Sequence, residues 1–135
     1  MSDPFTQARD EIIRLHRVID SWFRGEMPAD RFDPEFSDAL HPEFENIQPS
    51  GLVRSKADLL EPIRAAHGAN PDFRIEIEEP RLLATWPGLT LATYVEYQTG
   101  ARNSAADNRR RSTVLFETGG ARLIWRHLQE TGLPE

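Results

Sequence analysis

Charged and phenolic side chains that could bind a small organic molecule recur at alternate positions in the last third of the sequence. They are Tyr94, Glu96, Arg110, Arg126 and Glu130. Alternate residues of a β-strand share one face of a sheet, and a buried arginine needs a carboxylate or an anionic ligand because an unpaired internal charge is very costly. The pattern therefore predicts an ion network that lines a polar pocket for a small polar or anionic organic ligand. An exposed ladder of charges between strands is the alternative.

Acid–base chemistry could come from His127, Glu96 or Tyr94. His127 lies in mid-strand beside Trp125 and Gln129, and a semi-buried imidazole near an aromatic ring can act as an acid or a base once its pKa is tuned. A lyase or isomerase would use His127 or Glu96 as the general base, and Tyr94 or an arginine would stabilise an oxyanion. A hydrogen bond across a subunit interface is the other role open to His127. Whether the protein is an enzyme stays open.

The other three histidines show no spacing typical of a metal site. No second histidine lies four residues from His16, His41 or His67. His16 follows the apolar residue Leu15 and is assigned to the polar side of the first helix, which predicts a structural role. We expect no metal and no cofactor.

Composition narrows the classes of partner. The 135 residues carry a net charge of −6 and include no cysteine, which excludes disulfides and thiolate chemistry. The acidic balance argues against nucleic acid as a partner. No apolar run approaches the length of a membrane span, and the N-terminus lacks the pattern of a signal peptide. We therefore expect a cytoplasmic protein that has no membrane partner.

The hydrophobic periodicity changes once along the chain. Apolar residues spaced three and four apart predict a helix from Phe5 to Trp22 that ends at Gly25, and Ser55 begins a helix with a capping-box pattern. After Pro71 the period falls to two, which indicates strands. The expected strands are 73–78, 82–86, 89–99, 109–116 and 121–130, with a Gly-Gly turn at 117–120. Helices followed by an antiparallel meander indicate the α+β class.

The last strand mixes apolar and polar residues on both faces. One face carries Leu123, Trp125, His127 and Gln129, and the other carries Ile124, Arg126, Leu128 and Glu130. Such a strand is expected to be covered on both sides. We expect the face of Arg126 and Glu130 to line a cavity and the face of His127 to contact a second subunit.

Four segments resemble the nuclear transport factor 2-like superfamily. They are 41–51, 94–100, 111–116 and 125–134, which read HPEFENIQPSG, YVEYQTG, RSTVLF and WRHLQETGLP. They are similar to the SnoaL-like branch, which includes the association domain of calcium/calmodulin-dependent protein kinase II. That resemblance implies a single domain over residues 1–135 with a cystatin-like fold. It also implies a cone-shaped, strongly curved antiparallel sheet around N-terminal helices, a cavity, and a homodimer formed through the convex sheet face.

The resemblance leaves the chemistry undecided. The superfamily includes ketosteroid isomerases, polyketide cyclases, dehydratases and epoxide hydrolases, together with non-enzymatic domains, so the fold alone does not decide the activity. Cavity arginines of the kinase association domain correspond to Glu96, Val114 and Glu130 in this chain. That domain's ligand preference is therefore not carried over. A non-catalytic assembly module remains an alternative.

Overall fold

The fold places three helices against one face of a six-stranded sheet. A computed structural model describes residues 3–134, and the bounds of its elements follow from N- to C-terminus. The helices are α1 (Pro4–Arg24), α2 (Phe32–Glu35) and α3 (Lys56–Ala65), with short 3-10 turns at Ala29–Arg31 and Ser37–Ala39. The strands are β1 (Leu40–Ile47), β2 (Val53–Ser55), β3 (Arg74–Trp86), β4 (Leu89–Thr99), β5 (Asn108–Glu117) and β6 (Ile124–Gly132). The predicted α+β class is confirmed.

Helix α1 forms where the periodicity predicts it. The Asp3 carboxylate accepts a hydrogen bond from the Thr6 amide at 2.8 Å, which satisfies an N-terminal donor, and proline follows at a position where a helix tolerates it. Gly25 ends the helix with a φ of 77°, a left-handed conformation that costs glycine little. The predicted capping box at Ser55 is also present, since Ser55 and Asp58 each accept a hydrogen bond from the other's backbone amide.

The sheet is mixed, whereas the resemblance implied an antiparallel one. Its strand order is β2-β1-β6-β5-β4-β3, and β1 runs parallel to β6 while every other pair is antiparallel. The predicted meander therefore covers β3 to β6 only. The first strand joins that meander at its far edge after the chain has passed through α1 and the short helices, a long-range pairing that no local pattern specifies.

Strand β6 departs from the predicted turn and from the predicted alternation. It begins at Ile124 rather than at 121, and in the turn before it Gly119 takes a φ of 100° while Gly120 stays outside the left-handed region. Phe116 pairs with Trp125 and Leu115 pairs with His127, so Arg126 is an extra residue in a β-bulge. The bulge reverses the alternation, and Trp125 therefore lies on the same face as Leu128.

An aromatic core joins α1 to the concave face of the sheet. Phe32, Phe36, Phe44, Phe116 and Trp125 are almost fully buried. Asp20 of α1 is also fully buried, and its carboxylate accepts a hydrogen bond from the Ile75 amide at 3.1 Å, which fastens the helix to β3. Among residues 3–134, no helix is both long enough and apolar enough to cross a membrane.

Candidate functional site

A cavity of about 1150 Å³ lies between α1, α3 and the concave face of the sheet. Its helical wall is apolar except for His16 of α1, and its sheet wall is largely polar. The apolar lining includes Leu15, Ile19, Phe23, Phe36, Leu40, Phe44, Leu59, Ile63, Phe73, Ile75, Trp125 and Leu128. An apolar cavity with a few converging polar groups is the usual form of a small-molecule site.

The polar groups of the sheet wall are ordered by strand register. Residues on the concave face of neighbouring strands lie opposite one another in rows, and successive rows are about 7 Å apart because they are two residues apart along each strand. The rows are Glu96 with Arg110, then Tyr94 with Ser112 and Glu130, then Ala92 with Val114 and Leu128. The carboxylates and the guanidinium therefore occupy adjacent rows at the middle of the wall.

Seven polar side chains form one continuous hydrogen-bonded chain across this wall, from α1 through β4, β5 and β6 to β1. They are His16, Glu96, Gln98, Asn108, Arg110, Glu130 and Asn46. His16 Nε2 lies 3.0 Å from Glu96 Oε1, and Gln98 donates to the other oxygen of Glu96 at 2.6 Å.

The second carboxylate of the chain is held in the same way. Arg110 Nη1 donates to Glu130 Oε2 at 2.6 Å, and Asn46 Nδ2 donates to Glu130 Oε1 at 3.0 Å. Both carboxylates thus have partners on both oxygens, which is how a buried charge becomes tolerable.

His16 and Glu96 stabilise each other's charged forms. Burial disfavours the imidazolium, but the Glu96 carboxylate and a hydrogen bond to the Ile12 carbonyl raise the pKa of His16 above its ordinary value. Burial also disfavours the Glu96 carboxylate, yet His16, Arg110 and Gln98 lower the pKa of Glu96 from 4.5 to about 2. The pair is therefore a buried ion pair.

Glu130 and Tyr94 are shifted in the opposite direction. Burial and the nearby Glu96 charge raise the pKa of Glu130, against the opposing effects of Arg110 and Asn46. Burial, together with both carboxylates, holds the pKa of Tyr94 well above its usual range, so its hydroxyl stays neutral. Two carboxylates in adjacent rows thus have pKa values moved apart, so that Glu130 is the stronger base of the two.

Three of the five residues predicted to bind a ligand line the cavity, namely Glu96, Arg110 and Glu130. Tyr94 is fully buried behind that lining, and its hydroxyl lies 3.4 Å from His16 Nε2. Their roles in binding or catalysis stay predictions.

Arg126 lies outside the cavity lining, contrary to the expected face. The β-bulge reverses the alternation after Trp125, so Arg126 no longer shares a face with Glu130. Its guanidinium instead donates to the Glu43 carbonyl at 2.8 Å and lies 3.9 Å from the Glu117 carboxylate.

His127 is also absent from the lining and is half-buried opposite Leu115, on the side of the sheet away from the cavity. This placement agrees with the expected face for His127 and removes it from reach of a ligand in the cavity.

Sequence reasoning missed His16 and Asn46. His16 was assigned to the polar side of the helix, but it is only 4% exposed and faces the cavity. The signal was available, because Ile12, His16, Ile19 and Phe23 follow a spacing of four, three and four that marks a second stripe of the helix. Asn46 is buried through the pairing of β1 with β6, which no local pattern reveals.

Solved structures with this fold span nearly the whole chain. An NTF2-like protein of unknown function from Pseudomonas aeruginosa has a TM-score of 0.83 and 35% identity, covering 93% of this chain and 98% of its own. A provisionally named dehydratase of the NTF2-like family from Streptomyces avermitilis has a TM-score of 0.72 and 11% identity over 97% of this chain and 96% of its own. The CaMKII hub homology domain of Chlamydomonas reinhardtii has a TM-score of 0.67 and 13% identity over 94% and 99%.

One curated protein also matches in sequence. "Probable sucrose-phosphatase 2" of Arabidopsis thaliana is 25% identical over 127 residues, which make up 90% of this chain and 29% of that protein. The chain thus spans less than a third of the length of that relative. No model of a protein family matches the chain.

Proposed function

This chain belongs to the nuclear transport factor 2-like superfamily, and we propose that its cavity binds a small polar or anionic organic molecule in a homodimer. One observation carries the proposal. The cavity of about 1150 Å³ joins an apolar helical wall to a hydrogen-bonded chain that ends at Asn46 and contains Glu96, Arg110 and Glu130. If this region were only a packed core, apolar residues at these positions would stabilise the fold more, since a buried ion pair contributes little net stability.

The test uses a neutral fluorescent probe, phenylnaphthylamine, whose emission rises in an apolar site. We expect saturable binding of one probe per protomer. Ala66 lines the cavity and the adjacent Ala65 is exposed outside it. Ala66→Phe should therefore block the probe, and the matched control Ala65→Phe should bind it as the wild type does. Equal binding by both variants, or no binding by the wild type, would contradict the proposal.

The dimer is proposed to form through the convex face, which carries Leu91, Leu115 and His127 opposite one another on β4, β5 and β6. These side chains are half-buried in the single chain, and a CaMKII hub homology domain shares the fold. Light scattering should give the mass of a dimer for the wild type and that of a monomer for Leu115→Glu. A monomeric wild type would contradict this part, and a stable larger assembly would favour the non-catalytic assembly module instead.

Catalysis of the lyase or isomerase type is a second candidate, and the His16–Glu96 pair favours it. The Tyr94 hydroxyl and the Glu96 carboxylate both lie beside His16 Nε2, at 3.4 Å and 3.0 Å. A Glu96 pKa of about 2 makes that carboxylate a weak base. Protonated His16 would therefore be the acid, and Glu130 the better candidate for the base.

A panel of hydroxy ketones, followed in D₂O by NMR, tests this second candidate. Catalysed exchange or elimination by the wild type, lost in His16→Gln, would support it. Rates equal to those in buffer across the panel would count against it.

A further inference from the structure

The carboxylates of the inner lining each have a partner within the protein. Glu96 contacts His16, and Glu130 accepts a hydrogen bond from Arg110. Arg102 and Asp107 at the exposed rim offset each other. Arg54 therefore faces the cavity without a carboxylate of its own, although the whole chain has a net charge of −6.

The Arg110 side chain already forms hydrogen bonds with other side chains of the protein. Its two terminal nitrogens donate to Glu130 at 2.6 Å and to Asn108 at 3.1 Å, and its Nε is buried without a hydrogen-bond partner. A ligand anion at Arg110 would lie beside the Glu130 carboxylate, whose negative charge would repel it. Arg109, which also borders the cavity, donates to Glu78 at 2.9 Å.

Arg54 also lines the cavity, and its guanidinium contacts no carboxylate of the described residues. It lies on the edge strand β2 directly opposite Asn46 in an antiparallel pair, so both side chains share the concave face. Asn46 in turn holds Glu130, which places Arg54 next to the end of the hydrogen-bonded chain. Arg54 is half-buried and, among the described residues, its side chain makes no hydrogen bond or ion pair.

A half-buried guanidinium without a carboxylate is a ready site for an anion, because charge-assisted hydrogen bonds to carboxylate, sulfonate or phosphate are stronger than neutral ones. Leu59 and Ile63 of α3 line the cavity on the helical side, and Phe44 of β1 lines it closer to the core. An anion at Arg54 would therefore have an apolar surface within reach of the rest of the same molecule.

We infer that Arg54 is the anion-binding residue of the cavity and that the ligand is an amphipathic organic anion. Its acidic group contacts Arg54, and its apolar part packs between α3 and the aromatic residues of the inner cavity. The inference rests on the proposed binding function and specifies the ligand class and the residue that selects it. Neither Arg110 nor Arg126 has this role, since both are engaged by the protein's own oxygen atoms.

Two matched probes test it. Anilinonaphthalene sulfonate carries an anionic group on the same aromatic frame as the neutral phenylnaphthylamine. Loss of one charge-assisted hydrogen bond corresponds to about a ten-fold weakening of affinity. We therefore expect Arg54→Gln to weaken the sulfonate about ten-fold and to leave the neutral probe unchanged, while Arg54→Lys restores part of the sulfonate affinity.

Arg102→Gln is the control. Arg102 is an exposed rim arginine that donates to the Ala69 carbonyl at 2.7 Å, and its loss should leave both probes unchanged. Because the Arg54 side chain has no hydrogen-bond or ion-pair partner within residues 3–134, Arg54→Gln should unfold at the wild-type temperature, which separates lost binding from lost folding.

The possible failures are distinguishable. Unchanged sulfonate binding in Arg54→Gln, or a larger loss in Arg102→Gln, would overturn the role of Arg54 while leaving the cavity as a binding site. Equal loss of both probes in Arg54→Gln would overturn it as well, since the effect would not depend on the anion. Failure of the wild type to bind either probe would overturn the proposed function itself, and this inference with it.

Discussion

Replacing Glu96 by glutamine should destabilise the fold in a way that depends on pH. Glu96 is 6% exposed, and its carboxylate stabilises the imidazolium of His16 at 3.0 Å. Each pKa unit corresponds to about 1.4 kcal/mol. The fall of the Glu96 pKa from 4.5 to about 2 therefore corresponds to about 3 kcal/mol of unfolding free energy, which agrees with the cost of removing one partner of a buried pair.

The pH window follows from the directions of the two shifts. The pKa of Glu96 is lowered on folding, so its contribution is present above pH 4.5 and is lost as the pH falls through about 2. The pKa of His16 is raised, so its contribution is present below pH 6.5 and is lost as the pH rises through the folded-state value. The pair should therefore stabilise the fold most between pH 4.5 and 6.5.

Urea unfolding at a series of pH values measures this effect. The difference between wild type and Glu96→Gln should peak at about 3 kcal/mol within that window and should shrink on either side of it. The control Glu76→Gln removes an exposed carboxylate from β3 and should change stability by less than about 0.5 kcal/mol. A difference for Glu96→Gln that stays constant across the pH range, or that stays below about 1 kcal/mol, would refute the ion pair.

Two further substitutions test how the strands and α1 are held. Gly100→Ala should lower the unfolding temperature and cost about 1–3 kcal/mol of stability, because φ is +71° and the new Cβ would lie 2.5 Å from the Asp72 carbonyl oxygen. The control Gly51→Ala, at φ +89° with no atom within 4 Å, should cost less stability. Equal losses in the two variants would contradict the close contact at Gly100. Asp20→Ala should lower the free energy of unfolding by about 3 kcal/mol. It should also remove the hydrogen-exchange protection of the Ile75 amide, which donates to Asp20 at 3.1 Å. Unchanged protection of that amide would contradict the link between α1 and β3.

Local patterns predicted the elements well. The periodicity of α1, the Ser55 capping box and the alternation of β3 to β5 each depend on residues near one another in the sequence, and each is present. The strand register of β3 shifts between Glu78 and Arg81, around Pro80, because proline cannot donate a hydrogen bond to the neighbouring strand.

The candidate site was harder to predict because long-range pairing assembles it. Asn46 reaches Glu130 only through the parallel contact of β1 with β6. The extra residue Arg126 of the β-bulge moves the residues that follow it in β6 to the opposite face of the sheet, which an alternating pattern alone cannot predict. Glu96, Arg110 and Glu130 share the concave face because Glu96 and Arg110 lie opposite each other on β4 and β5, and Glu130 lies opposite Ser112, two residues after Arg110.

A crystal structure of the wild type with bound anilinonaphthalene sulfonate would show where the ligand binds. We expect electron density for the aromatic frame between α3 and the concave face of the sheet, with the sulfonate at the guanidinium of Arg54. Density on the convex face of the sheet, with the cavity unchanged, would contradict the claim that the cavity is the binding site.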